Sequence, residues 1–212
     1  MSYKLTALAL GVGVMFGAGP ALADNAVISQ TGAWNDSSIE QYDNNNATAT
    51  ITVNGYGNDA VVVQQDVNNS TASITQNANH GDATIDQSGS SFLFWTTPGN
   101  NQIASISQNW GWDNTAWITQ RGNNVDASII QGGVNNLAGV DQKGTGNSMV
   151  VARVTQEGWG NDAYIKQRGS ALNATINQSG KGNEAVILQN NSGHAAVITQ
   201  VGAYNLGVIK QH

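Results

Sequence analysis

Small, apolar and amide residues alternate along almost the whole of this chain. The phrase is a small residue, any residue, Ile or Val, any residue, Gln, and it occurs 16 times between Ala26 and Gln211. The Ile/Val slot is filled in all 16 copies, and the small slot is Ala in 14, with Ser37 and Gly207 as the exceptions. Val53 stands once where the glutamine belongs. Residues two apart share one face of a strand. A helix would need apolar residues at i, i+3, i+4 and i+7, and the phrase does not give them. The pattern therefore predicts many short β-strands, each turning Ala, Ile and Gln to one side.

The closing glutamines are Gln30, Gln41, Gln64, Gln76, Gln87, Gln108, Gln120, Gln131, Gln142, Gln156, Gln167, Gln178, Gln189, Gln200 and Gln211. With Val53 included there are 15 steps between copies, and 10 of them are eleven residues long. Suppose the strands pair as 30/41, 53/64, 76/87, 108/120, 131/142, 156/167, 178/189 and 200/211. Four of the five irregular steps then fall between pairs, and only 108 to 120 falls within one. The turns obey the same division. Inside pairs they carry Asn35, Asn58, Asn114, Asn136, Asn161, Asn183 and Asn205, failing only at Gly81. Gly32, Gly55, Gly133, Gly158, Gly180 and Gly202 follow their glutamine or Val53 by two residues and supply the positive φ that a tight bend needs. The true repeat is thus about 22 residues, with one uniform edge and one that takes insertions.

One strand cannot bury its face alone, but two folded face to face can if further copies stack on them. The expected fold is all-β: a two-sheet β-solenoid of about eight strand-turn-strand rungs, cross-β in character when polymerised. Like stacked on like puts each Gln over the next at ~4.8 Å, so the amides form a hydrogen-bonded ladder. The ladder offsets the penalty of burying an unpaired amide, a few kcal/mol.

Residues 90–100, Ser-Ser-Phe-Leu-Phe-Trp-Thr-Thr-Pro-Gly-Asn, interrupt the phrase and form an expected inserted loop. It lies over the solenoid edge or meets a partner. Trp34, Tyr56, Trp110, Trp112, Trp159 and Tyr204 all fall in turns inside pairs, where they shield the turn or stack along the edge. Residues 1–23 have the form of a signal peptide, with Lys4, an apolar run and Ala21-Leu22-Ala23, which places cleavage near Ala23 and residues 24–212 in the exported solenoid. There is no cysteine, so no disulfide holds an exported chain folded.

Charged residues make up only 10% of the chain, and they are unevenly placed. Residues 24–120 hold nine acids and no Lys or Arg, while residues 121–212 hold seven bases and five acids. Rungs stacked in order would make an electrostatic dipole suited to head-to-tail joining. Outward charges such as Glu40, Asp86, Asp141, Lys166 and Lys210 would limit sideways sticking. No basic stripe is evident, which disfavours nucleic acid as a partner.

The motif Gln-x-Gly-x-x-Asn-x-Ala-x-x-x-Gln resembles the curlin repeat of bacterial curli fibre subunits, and the resemblance covers residues 26–211. It implies a secreted functional amyloid: subunits that fold as β-solenoids and polymerise with copies of themselves into extracellular fibres of the biofilm matrix. It also implies a sibling subunit, one major and one minor, and export through a dedicated outer-membrane pore. That family's repeat often opens with Ser six residues before the first Gln; here the slot holds Asp24, Ala47, Ser70, Gln102, Val125, Val150, Leu172 and His194.

Solenoids that stay monomeric need polar caps, and none is evident at either end of the repeats, so both end rungs are expected to template another copy. The leading expectation is a structural fibre subunit for adhesion and biofilm, with a minor curlin that nucleates the fibre at the cell surface as its nearest rival. A monomeric solenoid that binds carbohydrate or ice is a more distant alternative; Thr48-Thr50-Thr52 is one isolated run rather than an ice-binding array. No catalytic residues, metal ligands, cofactor site or small-molecule substrate are expected. His80, His194 and His212 fall at unrelated phases, and Asp59 and Asp66 are better placed as turn residues than as a glycosidase pair.

Overall fold

The protein is described by a computed structural model covering residues 24–92 and 95–212. The expected signal peptide over 1–23 lies outside the described residues, as do positions 93–94 of the insertion. Strands β1 (Asn25–Ala33) and β2 (Asp36–Tyr42) make the first rung, and β3 (Thr48–Tyr56) and β4 (Asp59–Gln65) the second. After the two-residue β5 (Val67–Asn68), β6 (Thr71–Gln76) and β7 (Asp82–Ser88) make the third. The insertion follows as β8 (Ser90–Phe92), β9 (Trp95–Thr97) and β10 (Gly99–Asn100). The fourth rung is β11 (Gln102–Trp112) with β12 (Thr115–Gly122), and the fifth is β13 (Val125–Val134) with β14 (Leu137–Gly144). Then come β15 (Val150–Trp159) and β16 (Asp162–Ser170), β17 (Leu172–Lys181) and β18 (Glu184–Ser192), and β19 (Ala195–Ala203) and β20 (Leu206–Gln211).

First strands of the rungs form one eight-stranded parallel sheet, β1-β3-β6-β11-β13-β15-β17-β19, and second strands form the other, β2-β4-β7-β12-β14-β16-β18-β20. The rungs therefore stack in chain order, as the spacing predicts. Register is like on like: Ala127 pairs with Ala152, Ile129 with Val154 and Gln131 with Gln156. A slip of one residue would turn every Ala, Ile and Gln outward, so the buried face fixes the register.

Between the sheets lies one continuous apolar strip of Ala and Ile/Val, closed by the glutamines. Ile85, Ile118, Ile129 and Ile165 are fully buried, each worth about 1.5–3 kcal/mol relative to exposure. The small slot is small because it faces the long residues of the other sheet. At Gly207, even a Cβ would lie 3.0 Å from Ile198 and 3.2 Å from the Gln200 amide nitrogen.

On the uniform edge the turn glycines have the expected positive φ, from 104° at Gly202 to 145° at Gly55. There is a second reason for them. A Cβ on Gly158 would lie 2.0 Å from the carbonyl oxygen of Gly180 in the next rung, so the stacked backbones leave no room for a side chain.

Three features refine the sequence reading. The one irregular step inside a pair, 108 to 120, is a β-bulge: Gln108 pairs with Gln131 and Trp110 with Gly132, leaving Asn109 as the extra residue. The insertion expected as a loop contains an antiparallel hairpin, Ser90 to Thr97 and Phe92 to Trp95, and β10 pairs with β5 on the tolerant edge. The aromatic row includes a residue the sequence reading left out of it. His80 stacks on Trp112 at 5.1 Å and meets Tyr56 edge-on at 5.5 Å. Lys181 lies 4.3 Å from the ring centre of Trp159 and 5.9 Å from that of Tyr204.

Candidate functional site

The residues singled out by the repeat form three hydrogen-bonded columns along the solenoid. In the second-strand sheet the glutamine column is unbroken. Each side-chain Nε2 donates to the Oε1 of the next rung, from Gln41 through Gln64, Gln87, Gln120, Gln142, Gln167 and Gln189 to Gln211, at 2.7–3.1 Å. The same nitrogen also reaches across the core to a backbone carbonyl, as Gln167 does to Val151 at 2.9 Å. From Gln64 onward each glutamine thus ties its own sheet lengthwise and ties the two sheets together.

In the first-strand sheet the column runs unbroken only from Gln76 through Gln108, Gln131, Gln156 and Gln178 to Gln200. Val53 interrupts it. The Gln76 Oε1 that should accept from position 53 is buried without a partner, a defect of about 1–3 kcal/mol. On the other side of the gap, Gln30 donates instead to the Ser37 hydroxyl at 2.6 Å. The two exceptions to the sequence phrase therefore belong together: Ser37 takes the hydrogen bond that Val53 cannot.

The asparagine column behaves likewise, with its direction reversed. Asn161 donates from both its backbone N–H and its Nδ2 to the Oδ1 of Asn136, one rung earlier, at 3.0 and 3.1 Å. Asn183 and Asn205 repeat this on Asn161 and Asn183, and Asn136 does so on Asn114. Asn58 donates to Asn35. The expected failure at Gly81 is real, but the backbone N–H of Gly81 still donates to Asn58 Oδ1 at 2.9 Å. The Gln108 side chain fills the space its Cβ would need, with Oε1 only 2.4 Å from that point.

Among the described residues no strand lies outside β1 and β2 at one end or β19 and β20 at the other. At the last rung Val197, Val201, Tyr204, Leu206 and Val208 are all more than half exposed. A Cβ on Gly202 would meet only the distant Asn205 amide at 3.8 Å, where every equivalent glycine before it abuts a carbonyl of the next rung.

The curlin associated repeat is matched over residues 151–180 and 169–202. Residues 151–202 carry curlin repeats. The match falls where the ladders run without interruption, from β15 into β19, and the curlin family is one of structural subunits. No curated protein matches the chain. No group of three or more His, Cys, Asp or Glu side chains among the described residues is placed to hold a metal ion.

Charge follows the stacking as well. Asp36, Asp59 and Asp82 lie in one outward column, and burial, then Asp59, then Asp113 push the Asp82 carboxyl above the usual range. Asp162 and Glu184 share a column further along; burial and then Glu184 raise Asp162. The expectation that the bases form no stripe does not hold. Register places Arg121, Lys143 and Arg168 directly above one another. The signal was present in the sequence as Gln-Arg-Gly, Gln-Lys-Gly and Gln-Arg-Gly at residues 120–122, 142–144 and 167–169. Only the register of the strands brings them together.

Proposed function

We propose that residues 24–212 are the exported subunit of an extracellular curli-type functional amyloid fibre, in which each copy continues the solenoid of the next. The signal peptide over 1–23 would be removed near Ala23. The fibre would serve adhesion and the biofilm matrix. Family likeness also suggests an outer-membrane secretion pore and a sibling curlin subunit as partners.

The observation that carries this reading is the match between the two ends. Placing the first rung of one copy in register on the last rung of another sets Gln200 beside Gln30 and Gln211 beside Gln41. In the monomer the glutamine donors point toward the last rung, and the Oε1 atoms of Gln30 and Gln41 await donors from a rung below. The asparagine donors point the other way, so Asn35 of the incoming copy has Asn205 Oδ1 to donate to. The same placement sets exposed Val27 beside exposed Val197. It also sets Glu40 opposite Lys210, in the column where Asp141 and Lys166 already pair at 3.6 Å. Such a join is heterologous and open, and it yields a fibre rather than a ring.

Diluted from denaturant, residues 24–212 should convert to β-rich fibres with an axial reflection at ~4.8 Å. Lys210→Glu should slow elongation by up to about fivefold, the scale of an exposed ion pair, and adding Glu40→Lys should restore it. A folded monomer that persists at high concentration defeats the proposal. The gaps at Val53 and Gly81 favour a second role, as a nucleator. Trace amounts of this chain would then shorten the lag of a sibling subunit more than that sibling's own fibres do.

A further inference from the structure

The stacked bases lie beside a groove on the tolerant edge. Lys143 and Arg168 line it together with Thr145, Ser170, Asn191 and Ser192, around a volume of ≈ 530 Å³. One wall comes from the extra residues between Gln142 and Gln156, held to the next rung by the Thr145 N–H donating to the Gly169 carbonyl at 2.9 Å. Arg121 extends the column one rung before Lys143, and Asn190 continues it one rung after Arg168.

Arg121, Lys143 and Arg168 are exposed and enter no ion pair among the described residues. The nearby acid Asp141 is taken by Lys166, and Asp126 by Arg153. Three like charges at strand spacing repel one another. Their alignment favours an anion that neutralises them in sequence. The side chains of Thr145, Ser170, Asn191 and Ser192 have no hydrogen-bond partner among the described residues, so the groove also offers free hydroxyl and amide groups.

We propose that this column and groove bind an acidic polysaccharide, a chain of 1,4-linked uronic acids lying along the solenoid axis. The cations take its carboxylates, and the hydroxyls and amide take its sugar hydroxyls. A 1,4-linked uronate advances by close to one strand spacing per sugar, which matches a column with one cation per rung. A nucleic-acid strand fits less well, because the groove lining has no aromatic ring on which bases would stack. The nearest outward rings on that sheet, Trp117 and Tyr164, face each other at 6.4 Å across Gly139.

The test is fluorescence anisotropy of a labelled oligogalacturonate with the full mature chain. It reads binding whether or not the chain has polymerised, so its outcome is separate from that of the fibre proposal. The probe should bind, and binding should weaken as salt rises. The double variant Lys143→Gln/Arg168→Gln should weaken binding at least tenfold with unchanged circular dichroism. Lys181→Gln, whose amine lies over Trp159 on the other edge, should leave it unchanged. A neutral cello-oligosaccharide should not bind. Absence of binding, indifference to the double variant, or tighter binding of labelled oligothymidylate would each overturn the proposal.

Discussion

The first four rungs and the last four share one core but differ in how well their amides are paired. Both halves carry the same columns of Ala and Ile/Val in register. The early half also holds Val53, Gly81, the bulge at Asn109 and the hairpin insertion. The later half runs all three columns without a gap, and its one insertion lies at the tolerant edge. Register therefore survives the loss of single ladder amides. Shape and backbone pairing set the fold, and the ladders add stability rung by rung. The family match lies wholly within the later half, at 151–202.

The largest effect should come from breaking the intact half. Gln156→Leu removes the donor to Gln178 Oε1 and to the carbonyls of Leu137 and Asn161, at a loss of about 3 kcal/mol. Gln30→Leu, at the exposed first rung, should lose less than about 1 kcal/mol. Guanidinium unfolding midpoints, taken below the concentration of association, compare the two, and equal losses would contradict the ladder argument. Mending the early half should do the reverse. Val53→Gln gives Gln76 Oε1 its donor and should raise stability by about 1–2 kcal/mol; the same titration would count against the pairing described above if this variant were neutral or destabilised.

The smallest effect concerns pH. Asp162 is held above its ordinary value of 3.8 by burial and by Glu184. A carboxyl raised in the folded state binds more protons folded than unfolded. Its contribution favours folding at low pH and is lost as pH rises from the unfolded value through the folded one. Asp162→Asn should therefore flatten the decline in stability as the pH rises above the ordinary value of 3.8. An unchanged slope would place the decline elsewhere, with Asp82 in the early half as the next candidate.

Much of this was legible in the sequence because the repeat is physical as well as textual. The period of two gave the buried face, the 22-residue unit gave the rungs, and the turn Asn and Gly gave the uniform edge. Other features depend on neighbours that the chain brings together only on folding. That Ser37 compensates for Val53 follows from the two sheets facing each other. The residue before each turn Asn has positive φ in every rung, but its occupants, Trp34, Gly57, His80, Asp113, Asn135, Gly160, Gly182 and Tyr204, share no chemistry that would announce it. The basic column is hidden because its members are 22 and 25 residues apart. A spacing of eleven or twelve fixes that a strand follows, but not which residue of β11 is the bulge.

The opposed directions of the glutamine and asparagine columns have one more consequence. Two copies brought together last rung to last rung would face glutamine donors with donors and asparagine acceptors with acceptors. First rung to first rung would make the converse error. Only one orientation satisfies both columns at once, so in the proposed fibre a misoriented arrival would find no foothold and each added subunit would check the heading of the one before.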